Sequence, residues 1–208
     1  MAGLTSSFQI AHFPDHGEKP DRPVALKEWA VAEKALREGR QNLLLRKGGI
    51  REETKHFALE GTSFFLYPTY EHQKEHLIRE PFRGDLIQTV KEWSENGQRL
   101  YLRSFAQVTE EIAVTEAAEV DALSPYHIWT EHFVEERLRW KRHHPLHILL
   151  VRVFVIENPV QIEIREEYLG CKSWVRLEQE LPGFSFHPVL SEAEFQRRRE
   201  EVLRHFMR

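Results

Sequence analysis

A chain of 208 residues with 41% hydrophobic and 30% charged side chains has enough apolar material for one generous domain or two small ones. Its formal net charge of -4 excludes a global cationic field, so any contact with nucleic acid must use a local basic patch. The single cysteine, Cys171, excludes an internal disulfide and fits a reducing cytoplasm, and the longest apolar run, Ile148 to Ile156, is interrupted by Arg152 and too short to span a bilayer.

Residues 1–24 carry Pro, Gly and charge without the cationic start and long apolar stretch of a signal peptide, and read as an irregular lead-in. Residues 25–208 read as a single domain. Leu26 to Glu38 has helical spacing (Leu26, Trp29, Ala30, Ala32, Leu36), with Gly39 as its stop. Leu43 to Arg46 is a strand that Gly48-Gly49 turns. Phe57 to Leu59 and Phe64 to Tyr67 read as short strands, the second ended by Pro68. Tyr70 to Ile78 reads as a short helical stretch, and Asp85 to Trp93 as another that stops near Asn96-Gly97. Leu100 to Val114 is one long strand, which a curved sheet or barrel accommodates by bending. Tyr126 to Trp140 has helical spacing with Trp129, Phe133, Val134, Leu138 and Trp140 on the buried side. Leu146 to Ile156 is the strongest strand and is expected at the sheet's centre; Asn158-Pro159 turns the chain into Val160 to Ile164. Trp174 to Leu177 adds a further strand, and Ser191-x-x-Glu194 opens the last helix as a capping box. Without regular βαβ alternation, the pattern gives an α+β fold with a curved, mainly antiparallel sheet or a PUA-like β-barrel with flanking helices.

Gly39 to Ile50 holds the densest chemistry. An apolar strand runs into Arg46 and Lys47, then Gly48 and Gly49. Two cations beside glycine N–H groups make a cradle for a phosphate; the same letters also make a plain hairpin turn with two solvated cations. In Phe64 to Gln73, Tyr67 and Tyr70 can stack on bases while His72 and Gln73 read a base edge, or the aromatics are core and Pro68 shapes a turn. Lys172 and Ser173 are candidate pocket donors beside Cys171, which reads as a small buried residue next to Trp174.

Other motifs carry the bland reading. His72-x-x-Glu75-His76 fits the inverted zincin pattern, but Pro68 and Pro81 leave little room for the helix it needs. Pro145 breaks the register between His143 and His147. Pro20-Asp21 with Glu53-Thr54-Lys55, or Glu163-Ile164-Arg165, spells an incomplete metal-dependent nuclease motif. Arg197, Arg198, Arg199, Arg204, His205 and Arg208 share the last helical stretch with Glu192, Glu194, Glu200 and Glu201, which reads as a solvated face with i,i+4 pairs. No metal ligands are assigned from sequence, and no cofactor.

Five segments carry a resemblance: Lys27 to Ala30, Leu44 to Ile50, Phe65 to Gln73, Pro145 to Val153 and Gly170 to Trp174. Together they resemble a bacterial family catalogued as domain of unknown function 1802, from about Lys27 to Leu177. Fusion of some members to a restriction-endonuclease-like module implies a DNA-related setting and no particular reaction. A second stretch, Gly39 to Arg46, is similar to the opening of ASCH and PUA-like barrel domains, which bind RNA or modified nucleic acids. Gly39, Arg40 and Arg46 match their pattern G-[KR]-K-T-x-E-x-R; Gln41, Asn42 and Leu44 replace its lysine, threonine and glutamate. That loss argues against an ASCH-type catalytic role and leaves the barrel geometry and a backbone-rich pocket.

The combined expectation is a cytoplasmic, non-catalytic domain that binds nucleic acid or a phosphorylated small molecule through Arg46, Lys47, Gly48, Gly49, Tyr67, Tyr70, His72, Gln73, Lys172 and Ser173. The alternative is a metal-dependent nuclease or other hydrolase associated with DNA restriction.

Overall fold

The computed structural model describes residues 23–47, 63–140, 143–170 and 172–207. Strand β1, Val24–Trp29, alternates cleanly: Val24 and Leu26 face one apolar cluster and Ala25 another. It pairs with a neighbour on each side, so the helical spacing that starts at Leu26 is overridden by sheet pairing. Helix α1 therefore begins only at Ala30 and runs Ala30–Arg37. Gly39 stops it with φ +70, and its N–H donates to Leu36 O at 3.0 Å.

The remaining elements among the described residues are β2 (Leu43–Arg46), β3 (Ser63–Thr69), α2 (Arg83–Glu95), β4 (Leu100–Val114), α3 (Ala117–Asp121), α4 (Glu131–Arg139), β5 (Leu146–Ile162), β6 (Trp174–Arg176), β7 (Phe186–Pro188) and α5 (Glu192–Arg204). Single 3-10 turns lie at Glu75–Leu77, Glu80–Phe82, Ser124–Tyr126 and Glu166–Tyr168. The sheet order is β2-β5-β4-β3-β1-β6, with β7 added beside β5. β1 and β3 run parallel; the other described pairs are antiparallel. The fold is thus α+β with a mainly antiparallel sheet.

The sheet is strongly curved. One apolar cluster unites Leu26, Leu44, Leu66, Ala106, Val151 and Trp174, one from each of β1 to β6. Arg46 on β2 brings its Nη1 to 3.7 Å from Glu28 Oε2 on β1, although β5, β4 and β3 lie between them in the sheet order. Four strand spacings in a flat sheet would separate those strands by about 19 Å. Register shifts between Leu102 and Ser104 and between Val108 and Glu110 supply bends in β4. A second cluster packs Val31, Val120, Phe133, Val134 and Phe195 from the helices over Leu43, Leu45, Ile148 and Leu150.

Several sequence expectations need correction. Asn158-Pro159 does not end a strand: β5 continues, and residues 156–159 form a bulge between the pairs Ser104↔Val155 and Leu102↔Val160. β5 lies inside the sheet but next to β2 rather than at its centre. Pro68 does not end β3, because the β4 pairing already stops at Phe65 and a missing N–H on that side costs nothing. Tyr70 to Ile78 makes a turn and one 3-10 turn rather than a helix, with His72 at φ 61. Ser191 does cap α5, accepting from Glu194 N at 3.3 Å, while the Glu194 carboxylate serves Arg197 and Arg198. Phe57 to Leu59 and Gly48-Gly49 lie outside the described residues. Among the described residues, no helix is long and apolar enough to cross a membrane.

Candidate functional site

β1, β2 and β3 end at the same end of the curved sheet, and there the chain concentrates polar groups. Arg46 lies on the inward face of β2, in line with Leu44, and meets Glu28 with side chains only 13% and 9% exposed. Glu28 also accepts from its neighbour Trp29 N at 3.0 Å, and its carbonyl accepts from Thr69 Oγ1 at 3.0 Å. Lys47 is buried and donates from Nζ to Leu138 O at 3.2 Å, a carbonyl in the last turn of α4 where a cation is favoured. Burial lowers the Lys47 pKa. Gln73 accepts from Val31 N at 3.2 Å and donates to Tyr70 O at 3.3 Å, so one side-chain amide caps α1 and closes the turn after β3.

These contacts place Arg46 and Gln73 on either side of the Glu28–Trp29 junction, while Lys47 turns to α4. They do not gather the tyrosines. Tyr67 packs edge-on against Tyr168 at 6.2 Å, and burial pushes its hydroxyl up to about 12. Tyr70 stacks on Trp93 at 4.5 Å with the rings parallel. His72 is exposed at the turn. Lys172 is exposed and donates to Glu167 O at 3.2 Å, and Ser173 accepts from Lys27 N at 2.8 Å on the β6 side of β1. Gly48 and Gly49 lie outside the described residues.

Next to the Glu28–Trp29 junction is a cleft of about 260 Å³ lined by Trp29, Lys74, Leu77, Phe133, Arg137 and Trp140, with Glu136 at its edge. Trp29 and Phe133 give it an aromatic lining, with the buried Trp129 packed behind them. Trp129 and Phe133 stack at 4.0 Å, Trp29 meets Trp129 edge-on at 5.3 Å, and the Arg137 guanidinium lies 4.9 Å from the Phe133 ring centre. Trp140 is 53% exposed, not on the buried side of the helix as its spacing predicts, because α4 ends at Arg139 and Trp140 already has an extended backbone. The sequence signal for this feature is the run Arg137-Leu138-Arg139-Trp140-Lys141-Arg142, an aromatic set among cations.

Two elements fix the neighbourhood of the cleft. Thr130 caps α4 by accepting from Phe133 N, and its hydroxyl donates to His76 O at 3.3 Å. Thr130 N donates to Leu77 O at 3.1 Å and Ile78 bridges Trp129, so the 75–79 segment is bound to the start of α4. This brings His76 beside His132, with ring centres 5.8 Å apart, and His132 Nε2 lies 3.3 Å from Glu136 Oε1.

Several residues of the other motifs make contacts within the fold. Arg197 pairs with Glu194 and Glu201, Arg198 reaches Gly39 O at 2.6 Å, and Arg199 binds Glu110 on β4. His147 meets Glu111 at 2.8 Å across the β4–β5 pair. Arg165 turns to Glu163 at 3.4 Å. Asp21, Glu53, Lys55 and Cys171 lie outside the described residues.

No curated protein matches the chain. It is similar to two solved structures of ASCH proteins from Zymomonas mobilis. One is a point mutant, with TM-score 0.46 and 13% identity over 77% of this chain and 92% of that one. The other has TM-score 0.45 and 10% identity over 76% and 88%. The family profile of the domain of unknown function (DUF1802) matches residues 25–201, and the chain belongs to that family.

Proposed function

We propose that this protein binds nucleic acid, as single strand or as a nucleotide-like end, in the cleft beside Trp29. The observation that carries the reading is the half-exposed Trp140 lining one cleft with Trp29, Phe133, Lys74 and Arg137. Base stacking on such rings is worth about 1–3 kcal/mol per base and tolerates any sequence. Arg137 and Lys74 supply phosphate contacts, Arg137 through its planar fork. The volume of about 260 Å³ suits a flat ring at an open edge better than an engulfed cofactor.

Arg46 and Lys47 remain in the reading as neighbours of the cleft, since Lys47 docks on Leu138 one residue from Arg137; Gly48 and Gly49 stay in it as sequence candidates for phosphate contact. Arg46 and Gln73 act as supports that hold the Trp29 junction. His72, Lys172 and Ser173 are proposed as outlying polar contacts. Tyr67 and Tyr70, with their rings against Tyr168 and Trp93, serve packing rather than stacking on a ligand.

The test is fluorescence anisotropy with labelled single-stranded DNA, single-stranded RNA and duplex, in EDTA, at several salt concentrations. Binding is expected to favour single strands and to weaken with salt. Arg137→Ala and Lys74→Ala should each weaken it on every sequence and reduce the salt slope by about 1. No binding at low salt, or slopes untouched by both substitutions, defeats the reading.

A further inference from the structure

His76, His132 and Glu136 each offer a ligand atom, and the three atoms all lie within 4.8 Å of one another. We infer that they form a three-residue site for a divalent transition metal of the zinc class, at the rim of the cleft that Glu136 also lines. By sequence spacing the histidine that goes with His76 is His72, a pattern that reads as bland for want of a helix. The fold separates their roles: His72 sits at a left-handed turn, while Thr130 and the Ile78–Trp129 bridge lock the 75–79 segment onto α4.

The chemistry fits. Two imidazoles and one carboxylate are the donor set that borderline metals take, and three protein ligands leave a coordination position for an exchangeable group. Bonds of about 2.1 Å in a tetrahedral site put ligand atoms about 3.4 Å apart. His132 Nε2 and Glu136 Oε1 already stand 3.3 Å apart, one helical turn from each other. The Thr130 hydroxyl holds the His76 backbone beside them, and the His76 ligand atom lies within 4.8 Å of both. All three side chains are exposed, so a metal can enter and exchange its fourth ligand without the fold opening. The inference stands apart from nucleic-acid binding, which is measured in EDTA.

Cobalt is the probe, because its visible bands report coordination number. The full chain, stripped with EDTA and desalted, is titrated with Co²⁺. One saturable equivalent is expected, with the bands of a four- or five-coordinate site that Zn²⁺ then displaces. His76→Ala and His132→Ala should each weaken cobalt at least about tenfold. Glu136→Gln keeps the side-chain shape and should act in the same direction. His72→Asn, a residue suited to the positive φ at that turn, should titrate like the parent. Absence of saturable binding overturns the site. So do bands that persist unchanged in both histidine variants, or loss in His72→Asn with His132→Ala intact. Far-UV circular dichroism of each variant confirms that the exposed substitutions leave the fold unchanged.

Discussion

At the scale of single residues, one buried imidazole and one left-handed glycine set measurable stability terms. His127 is 2% exposed, with Nδ1 accepting from Trp129 N at 3.2 Å and Nε2 facing Val120 O at 3.3 Å. Desolvation lowers its pKa to about 4, outweighing the bond to Val120. In the unfolded chain an imidazole titrates near 6.5, so as pH falls the unfolded state takes the proton first. The stability tied to neutral His127 is complete above about pH 6.5 and is lost as pH falls towards about 4, in total on the order of 3 kcal/mol. Urea unfolding at pH 7.5, 6 and 5 should show that decline, and His127→Gln should flatten it; an unchanged slope in the variant would locate the titration elsewhere. Gly39 is the second case. Its φ of +70 is unfavourable for any Cβ, and an added Cβ would meet Leu190 Cδ2 at 3.0 Å and Val189 Cγ1 at 3.1 Å. Gly39→Ala should lower stability by about 1–2 kcal/mol, read from the urea midpoint.

At the scale of elements, the informative contact is the one between β1 and β2. Glu28 and Arg46 meet only because the sheet curls. A double-mutant cycle of Glu28→Gln and Arg46→Gln should give a coupling of about 0.5–3 kcal/mol, whereas additive losses would show that the two strands do not approach. Element limits were legible where the local pattern and the pairing agree. β4 has the bounds that the residues predict, Leu100 to Val114, and α2 stops at Asn96 and Gly97 as expected. They were illegible where a distant group decides. α1 starts at Ala30 rather than Leu26 because β3 and β6 claim β1 and because Gln73, 42 residues away from Val31, caps the helix. The Asn158-Pro159 signal is real, but a bulge absorbs it because the chain finds β4 again at Val160.

At the scale of the molecule, curvature follows from long strands and was foreseeable; the cleft was not. Its walls come from Trp29 at the end of β1, Lys74 and Leu77 in a turn, and Phe133, Arg137 and Trp140 on or beside α4. No window of sequence contains them together. Tyr67 and Tyr70 are close in sequence, but their rings pack against Tyr168 and against Trp93 of α2. On the bend after β2, Lys47 binds Leu138 O in the last turn of α4, two residues before Trp140. The stacking claim is therefore tested most directly at Trp140, by the affinity of a labelled single-stranded oligonucleotide for the parent chain, Trp140→Ala and Trp93→Phe in EDTA. Loss of one stacked base at about 1–3 kcal/mol predicts binding roughly 5- to 150-fold weaker for Trp140→Ala, with Trp93→Phe unchanged. Equal affinity in Trp140→Ala and the parent would contradict the account.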